Sequence, residues 1–220
     1  MGPLESQFAP PAGSRNQLRV AAGWAVLGVI LVIAGGAALR FGDSGPLGID
    51  EWWHGIAAVT RGSAPYAVAV FTAEAGGSVG AIACTVIAVA LLLATRQARD
   101  AAAVATAMLI GVGASEAIKV LVLRPRPWDQ LYTSHGASYP SGHSMGAAAL
   151  AVSLALVVTY SSAFSDTATR WVWVVSITWI LLMMWSRTAL HVHWLSDTVA
   201  GAVLGASAAI LARRFWVSRA

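Results

Sequence analysis

VAAGWAVLGVILVIAGGAAL, residues 20–39, runs for twenty positions without an Asp, Glu, Lys or Arg. About 20 helical residues cross the ~30 Å hydrocarbon layer of a bilayer, so this stretch reads as a membrane span. Five further charge-free runs follow at 75–95, 101–115, 144–165, 171–186 and 198–212. Those at 101–115, 171–186 and 198–212 are short, and each borders an ionisable residue: Glu116 with Lys119, then Arg187, then Asp197. They are expected to continue through those charges, which places ionisable groups in the terminal turns near one interface. The composition agrees, with 57% of 220 residues apolar and 11% charged, and it excludes most soluble classes.

The predicted fold class is therefore all-α: a polytopic membrane protein with a bundle of six transmembrane helices. IDEWWHGIAAVTRG, residues 49–62, mixes tryptophans, acids and apolar residues. It reads as an interfacial helix between the first and second spans, or equally as an amphipathic loop. Gly76-Gly77 marks a break before the second span. Nothing divides the chain, so residues 1–220 are expected to form one domain, with a polar tail over about 1–17. The first span follows that tail without a cleavage signature and reads as retained. GAVLG, residues 201–205, supplies a small-residue face for close helix packing. Cys84, the single cysteine, offers neither a disulfide nor a thiolate metal site and reads as a small buried hydrophobe.

With six alternating spans, Arg15, Arg19, Arg96, Arg99, Arg170, Arg213, Arg214 and Arg219 fall on one side of the membrane. Arg40, Arg61, Lys119, Arg124, Arg126 and Arg187 fall on the other. The first side is expected to be cytoplasmic, with both termini there. The net charge of +4 is scattered over the ends of apolar segments instead of forming one basic face, so no nucleic-acid partner is expected. All five histidines, His54, His135, His143, His191 and His193, then lie at or near the extracytoplasmic side.

Three segments on that side hold most of the polar chemistry. In KVLVLRPRP, residues 119–127, Lys119 and Arg126 are seven apart, nearly one helix face, and can converge on an anion. Flanking cations at a membrane boundary are the plain alternative, although this side should be poor in them. In YPSGHS, residues 139–144, free N–H groups at a helix start, the Ser141 hydroxyl and Gly142 form an anion site. His143 at that mouth can give or take a proton. An ordinary capping turn is the alternative. In SRTALHVHWLSD, residues 186–197, His193 and Asp197 are four apart, so a helix would set them one turn apart with the carboxylate on an imidazole N–H. That leaves the other ring nitrogen as a nucleophile. Arg187 offers a planar fork to phosphate oxygens. His191 is expected to face elsewhere, Glu116 to pair with Lys119, and Arg124 to meet either a headgroup or water.

Together these motifs resemble the type 2 phosphatidic acid phosphatase superfamily. Its signature reads here as Lys119 to Arg126-Pro127, Pro140-Ser141-Gly142-His143, and Ser186-Arg187 with His193 and Asp197, without substitution over a core of about 75–213. The resemblance implies a metal-independent lipid phosphatase with a phosphohistidine intermediate and no cofactor. His193 would attack phosphorus, Asp197 orient it, and His143 protonate the leaving oxygen, while Lys119, Arg126, Ser141, Gly142 and Arg187 bind the phosphoryl group. The expected partners are a membrane lipid phosphate and the bilayer, and the expected location is a bacterial inner membrane with the site extracytoplasmic. A polyprenyl diphosphate such as undecaprenyl diphosphate is the first substrate choice, ahead of phosphatidylglycerol phosphate or phosphatidic acid. An inactive lipid-binding or scaffold relative is the rival class.

Overall fold

A computed structural model describes residues 12–217. Their elements are α1 (Ala12–Phe41), α2 (Gly48–Ala57), α3 (Ala64–Ala75), α4 (Ser78–Ala94), α5 (Ala98–Val122), α6 (Gly142–Thr159), α7 (Asp166–Ala189) and α8 (Leu195–Val217). No strand occurs among the described residues. Five helices, α1, α5, α6, α7 and α8, are long and apolar enough to cross a membrane. α3 and α4 meet at a 52° bend and are long and apolar enough only as a pair, which brings the count to six when the two are taken as one span. Gly76-Gly77 sits in that bend, where a Cβ on Gly76 would lie 2.0 Å from Met183 Cε of α7. Counted as one span with α4, α3 carries the second span back to Ala64, earlier than the apolar run over 75–95. The polar tail lies outside the described residues up to residue 11, and its remaining positions are helical as the start of α1.

The three short apolar runs do continue through their charges. α5 extends past Glu116 and Lys119, α7 past Arg187, and α8 begins before Asp197. α2 is the helix expected between the first spans, with Asp50 and Glu51 in its first turn, where acids complement the helix dipole.

α6 and α8 form the centre of the bundle. Their backbones touch because of two glycines: a Cβ on Gly201 would lie 2.3 Å from the Ser141 carbonyl oxygen, and one on Gly205 would lie 2.1 Å from that of Met145. This is the packing expected of the GAVLG face. Around the centre, α1 and α4 present Trp24, Ile30, Leu31, Val79, Ile82 and Val86 outward. Unpaired apolar faces of this kind are stable against lipid tails and not against water. Cys84 lies on such a surface and is exposed, contrary to the buried position expected of it. Apolar composition does not separate a lipid-facing position from a core one.

The bundle has two chemically distinct ends. At one, Arg213 pairs with Asp100 and stacks over Tyr160 at 5.0 Å. At the other, the C-termini of α5 and α7 meet the N-termini of α6 and α8, joined by Ser141 N–H to Asp197 C=O (2.9 Å) and Leu131 N–H to Leu190 C=O (3.0 Å). The starts of α6 and α8 converge there.

Candidate active site

α5 stops at Leu123, whose backbone is left-handed (φ 54), and Pro125 and Pro127 keep the chain extended beyond it. This termination aims Arg126 into the helix junction. Its guanidinium is held by backbone carbonyls: Nε donates to Gly136 (3.0 Å), Nη2 to His135 (3.0 Å) and Ala137 (3.2 Å), and Nη1 to Val192 (2.6 Å). Nη1 also lies 3.1 Å from His193 Nε2. Arginine has no acceptor, so the imidazole must supply the lone pair in that contact. Nε2 is then unprotonated and the proton sits on Nδ1, which faces Asp197.

His193 and Asp197 are brought together by a different route from the single helix read from their spacing. α7 ends at Ala189, His191 turns the chain with φ 53, and α8 starts only at Leu195. His193 therefore lies in the connecting turn, and Asp197 in the first turn of α8. His193 Nδ1 and Asp197 Oδ2 are 3.6 Å apart, an ion-pair distance just longer than a hydrogen bond. Oδ2 instead accepts from Trp194 N–H (2.9 Å) and from the Ser138 hydroxyl. The Trp194 bond is a reach-back to the start of α8, as in a capping box.

Arg124 holds the other carboxylate oxygen and is enclosed by protein, where a headgroup or water was expected. It is fully buried and donates to Asp197 Oδ1 (2.6 Å), Asp50 Oδ2 (2.8 Å), Ser196 Oγ (2.7 Å) and the Gly45 carbonyl (2.8 Å). Asp50, also buried, accepts in turn from Ser196 N–H and Oγ, both at 2.8 Å. One cation thus binds α2 and α8 to the loop after α5. Arg124→Leu would leave two buried carboxylates facing each other without a counter-charge, and a loss of about 3–5 kcal/mol is expected. Thermal unfolding in detergent would read this as a large drop in melting temperature; an unchanged midpoint would contradict it.

The remaining predicted residues surround the same point. Ser141 caps α6 as an acceptor from Ser144 N–H (3.4 Å), so the capping role is real. A Cβ on Gly142 would lie 3.3 Å from Lys119 Nζ, which places that ammonium beside the first N–H groups of α6. Lys119 also pairs with Glu116 at 2.6 Å, as expected. Arg187 is buried against the Tyr132 ring (5.8 Å), and its Nε and Nη1 have no hydrogen-bond partner among the described residues. A buried guanidinium with two open N–H groups is a ready fork for an anion. His143, in the first turn of α6, feels Arg187, His193, Lys119 and Arg126 electrostatically, and its Nε2 would lie 3.7 Å from a Cβ on Gly77 at the α3–α4 bend. All eight predicted residues therefore gather at one end of the bundle.

Burial depresses the His193 pKa from 6.5 to about 4, and nearby Arg126 and Arg187 push the same way while Asp197 opposes them. A histidine neutral in the fold keeps its lone pair at pH 5–6, where a solvent imidazole is partly protonated. Any step that needs this lone pair should stay fast from pH 7 down to 5, then fall as pH approaches 4, once the substrate's own ionisation is corrected for. A midpoint near 6.5 would contradict the assignment. The sign for stability is the same: the unfolded chain takes up a proton first, so this stabilisation is complete above pH 6.5 and is lost as pH falls towards 4.

Residues missed by sequence reasoning are Asp50, Ser138, Tyr132 and the Arg124 hub. The doubled RPRP was the one available signal, since it sets a second arginine, Arg124, two residues before Arg126.

A helical membrane bundle that gathers three cations, two imidazoles and a helix N-terminus at one end has the make-up of a membrane phosphatase site. The PAP2 superfamily matches residues 100–219, more than half of the chain, and the chain belongs to that family. It is similar to an undecaprenyl-diphosphatase of Sulfolobus acidocaldarius, with 34% identity over 84 residues. That match spans 38% of this chain and only 32% of the relative. The fold resembles the crystal structure of a transmembrane PAP2-type phosphatidylglycerolphosphate phosphatase from Bacillus subtilis, with TM-score 0.76 and 23% identity, covering 87% of this chain and 94% of that one. It also resembles Aquifex aeolicus LpxE, with TM-score 0.62 and 17% identity, covering 76% of this chain and 95% of that one.

Proposed function

We propose that this PAP2 membrane lipid phosphatase, acting as a single domain, hydrolyses a lipid phosphate or diphosphate through a phosphohistidine on His193. The observation that carries this is the position of His193, whose Nε2 lies 3.1 Å from Arg126 Nη1 at the end of the bundle where Lys119, Arg187 and the start of α6 also meet. Arg126 Nη1 turns its N–H from His193 Nε2 to a phosphoryl oxygen, the freed Nε2 lone pair attacks phosphorus as the P–O bond to the lipid breaks, and His143 gives its proton to the departing oxygen. Water then attacks the phosphorus, His143 takes a proton from it, and the P–N bond breaks to release inorganic phosphate. Asp197 positions His193 and stabilises the imidazolium character that develops. Lys119, Arg126, Arg187, Ser141 and the Gly142 N–H bind the phosphoryl oxygens and meet the charge that builds in the transition state. Three cations do here what a divalent metal does in other phosphatases, so turnover should need none.

A polyprenyl diphosphate such as undecaprenyl diphosphate is the preferred substrate, supported by the relative from Sulfolobus acidocaldarius. Phosphate release from purified lipids in detergent with excess chelator tests this reading. Turnover is expected, fastest on the diphosphate. Release only after magnesium is added would sink the mechanism, and phosphatidylglycerol phosphate or phosphatidic acid as the best substrate would overturn the lipid choice.

We place the site extracytoplasmic and both termini cytoplasmic, in the inner membrane of a bacterial cell. Of the cations at the site end, Lys119, Arg124, Arg126 and Arg187 are committed to the site, which leaves Arg40 and Arg61 exposed. At the opposite end Arg19, Arg96, Arg99 and Arg170 are exposed, so the asymmetry favours that end as cytoplasmic. In a Cys84→Ala background, a cysteine at exposed Thr133 should react with an impermeant thiol reagent from outside intact cells. Labelling only after the inner face is opened would reverse the orientation.

A further inference from the structure

His191 does not face away into bland surroundings. It belongs to a second cluster at the site end of the bundle, apart from the phosphate-facing groups. We propose that His54, Asp129 and His191 form a binding site for a divalent transition-metal ion of the zinc class.

The three residues come from α2, the loop between α5 and α6, and the α7–α8 turn. His54 Nε2 lies 3.1 Å and His191 Nδ1 2.9 Å from the same oxygen, Asp129 Oδ2. One donor atom from each of the three lies within 4.8 Å of the others. Tetrahedral zinc with bonds of about 2.0–2.2 Å sets its ligands about 3.3–3.5 Å apart, so the two contacts need to open by only a few tenths of an ångström.

Donor geometry favours an ion. The two imidazoles lie with centroids 3.9 Å apart, tilted by 31°, and each brings a ring nitrogen to the same carboxylate oxygen. Two neutral rings and one carboxylate are the donor set of a zinc-class ion, whereas magnesium and calcium prefer oxygen ligands throughout. His191 is buried and its Nε2 has no hydrogen-bond partner among the described residues, so its Nδ1 contact within this cluster is what holds the ring. His191 also adopts φ 53, a left-handed conformation that glycine or asparagine would take more readily. Trp128 and Trp194 wall the cluster, their rings 6.1 and 5.4 Å from His54, while the Asp129 side chain is 43% exposed. That leaves a path for the ion and a fourth position for water. A bound ion would fasten α2 and the 129 loop to the turn that carries His193, two residues on. Its role is bracing, so it does not conflict with metal-independent turnover.

The test uses tag-free, chelator-stripped protein in detergent, titrated with Zn²⁺ alone, with binding measured by equilibrium dialysis and stability by thermal unfolding. One equivalent should bind and raise the melting temperature by several degrees. His54→Gln and Asp129→Asn, both outside the phosphate-binding residues, should each weaken zinc binding by about 100-fold or more and remove the shift. Cobalt in place of zinc should give visible absorption bands of a nitrogen-ligated ion in the wild type and not in either variant. Either variant alone decides the matter if the other fails to fold. No zinc-dependent shift in the wild type would overturn the proposal. So would binding that survives both substitutions, which would put the ion on His143 and His193 instead. Phosphate release by the stripped wild type is read separately, so failure of the phosphatase mechanism and failure of the zinc site cannot be confused.

Discussion

His193→Ala should abolish turnover, with kcat falling by at least about 10⁴-fold and no phosphate attached to the protein. The size follows from the loss of the nucleophile, since the cation cluster that remains can bind phosphate but has nothing with which to attack it. Arg126 keeps its bonds to the Gly136, His135, Ala137 and Val192 carbonyls when the imidazole goes, so the anion pocket survives. Asp197 likewise stays fixed by Arg124, Ser138 and Trp194. Vanadate, which mimics five-coordinate phosphorus, should therefore inhibit the wild type competitively and still bind the variant, only several-fold more weakly. A variant that loses vanadate binding altogether, or that keeps more than a few per cent of wild-type turnover, would contradict this assignment. The contrast separates a missing nucleophile from a collapsed pocket.

His143→Ala should cost about 10²–10⁴-fold, with a penalty that depends on the leaving group. A lipid diphosphate leaves as a phosphate monoester whose second pKa is about 6, so it departs without a proton. Phosphatidic acid must instead expel an alkoxide whose basicity approaches that of hydroxide, a far poorer leaving group. The variant should therefore still transfer phosphate from a diphosphate or nitrophenyl substrate to His193, and then stall, because water attacking the phosphoenzyme has lost its base. A burst followed by slow turnover is expected on good leaving groups, and almost no reaction on poor ones. Rapid-mixing measurements on both substrate types check it. Equal losses on both would mean that His143 binds phosphate and moves no proton.

The spans and the motif residues were legible in the sequence because each rests on a local pattern. Charge-free runs mark the spans, and Lys119, Arg126, Ser141, Gly142, His143, Arg187, His193 and Asp197 each sit beside a helix end that composition reveals. Longer-range pairing was not legible. Arg124 read as a surface cation, yet it is buried because Asp50, 74 positions away, meets it at 2.8 Å. His191 read as bland because its partners His54 and Asp129 come from distant segments. The four-residue interval between His193 and Asp197 predicted their proximity for the wrong reason. A helix holding both would need helical backbone at His193 and Trp194, which instead lie in the turn before α8 begins at Leu195. The pair still meets because that turn and the first turn of α8 cover nearly the same distance. The early start of the second span was hidden as well, since Glu74 interrupts the apolar pattern; its carboxylate is accommodated by the Tyr132 hydroxyl at the site end.

The most direct test of the central claim is to trap the covalent intermediate. Purified, chelator-treated His143→Ala protein is mixed with a diphosphate lipid radiolabelled at the terminal phosphate, quenched in alkali and digested, and the labelled peptide is sequenced. The account predicts acid-labile, alkali-stable phosphate on His193, and no label when His193 is also replaced. Label on any other residue, or phosphate release in a single turnover without label on the protein, would contradict it.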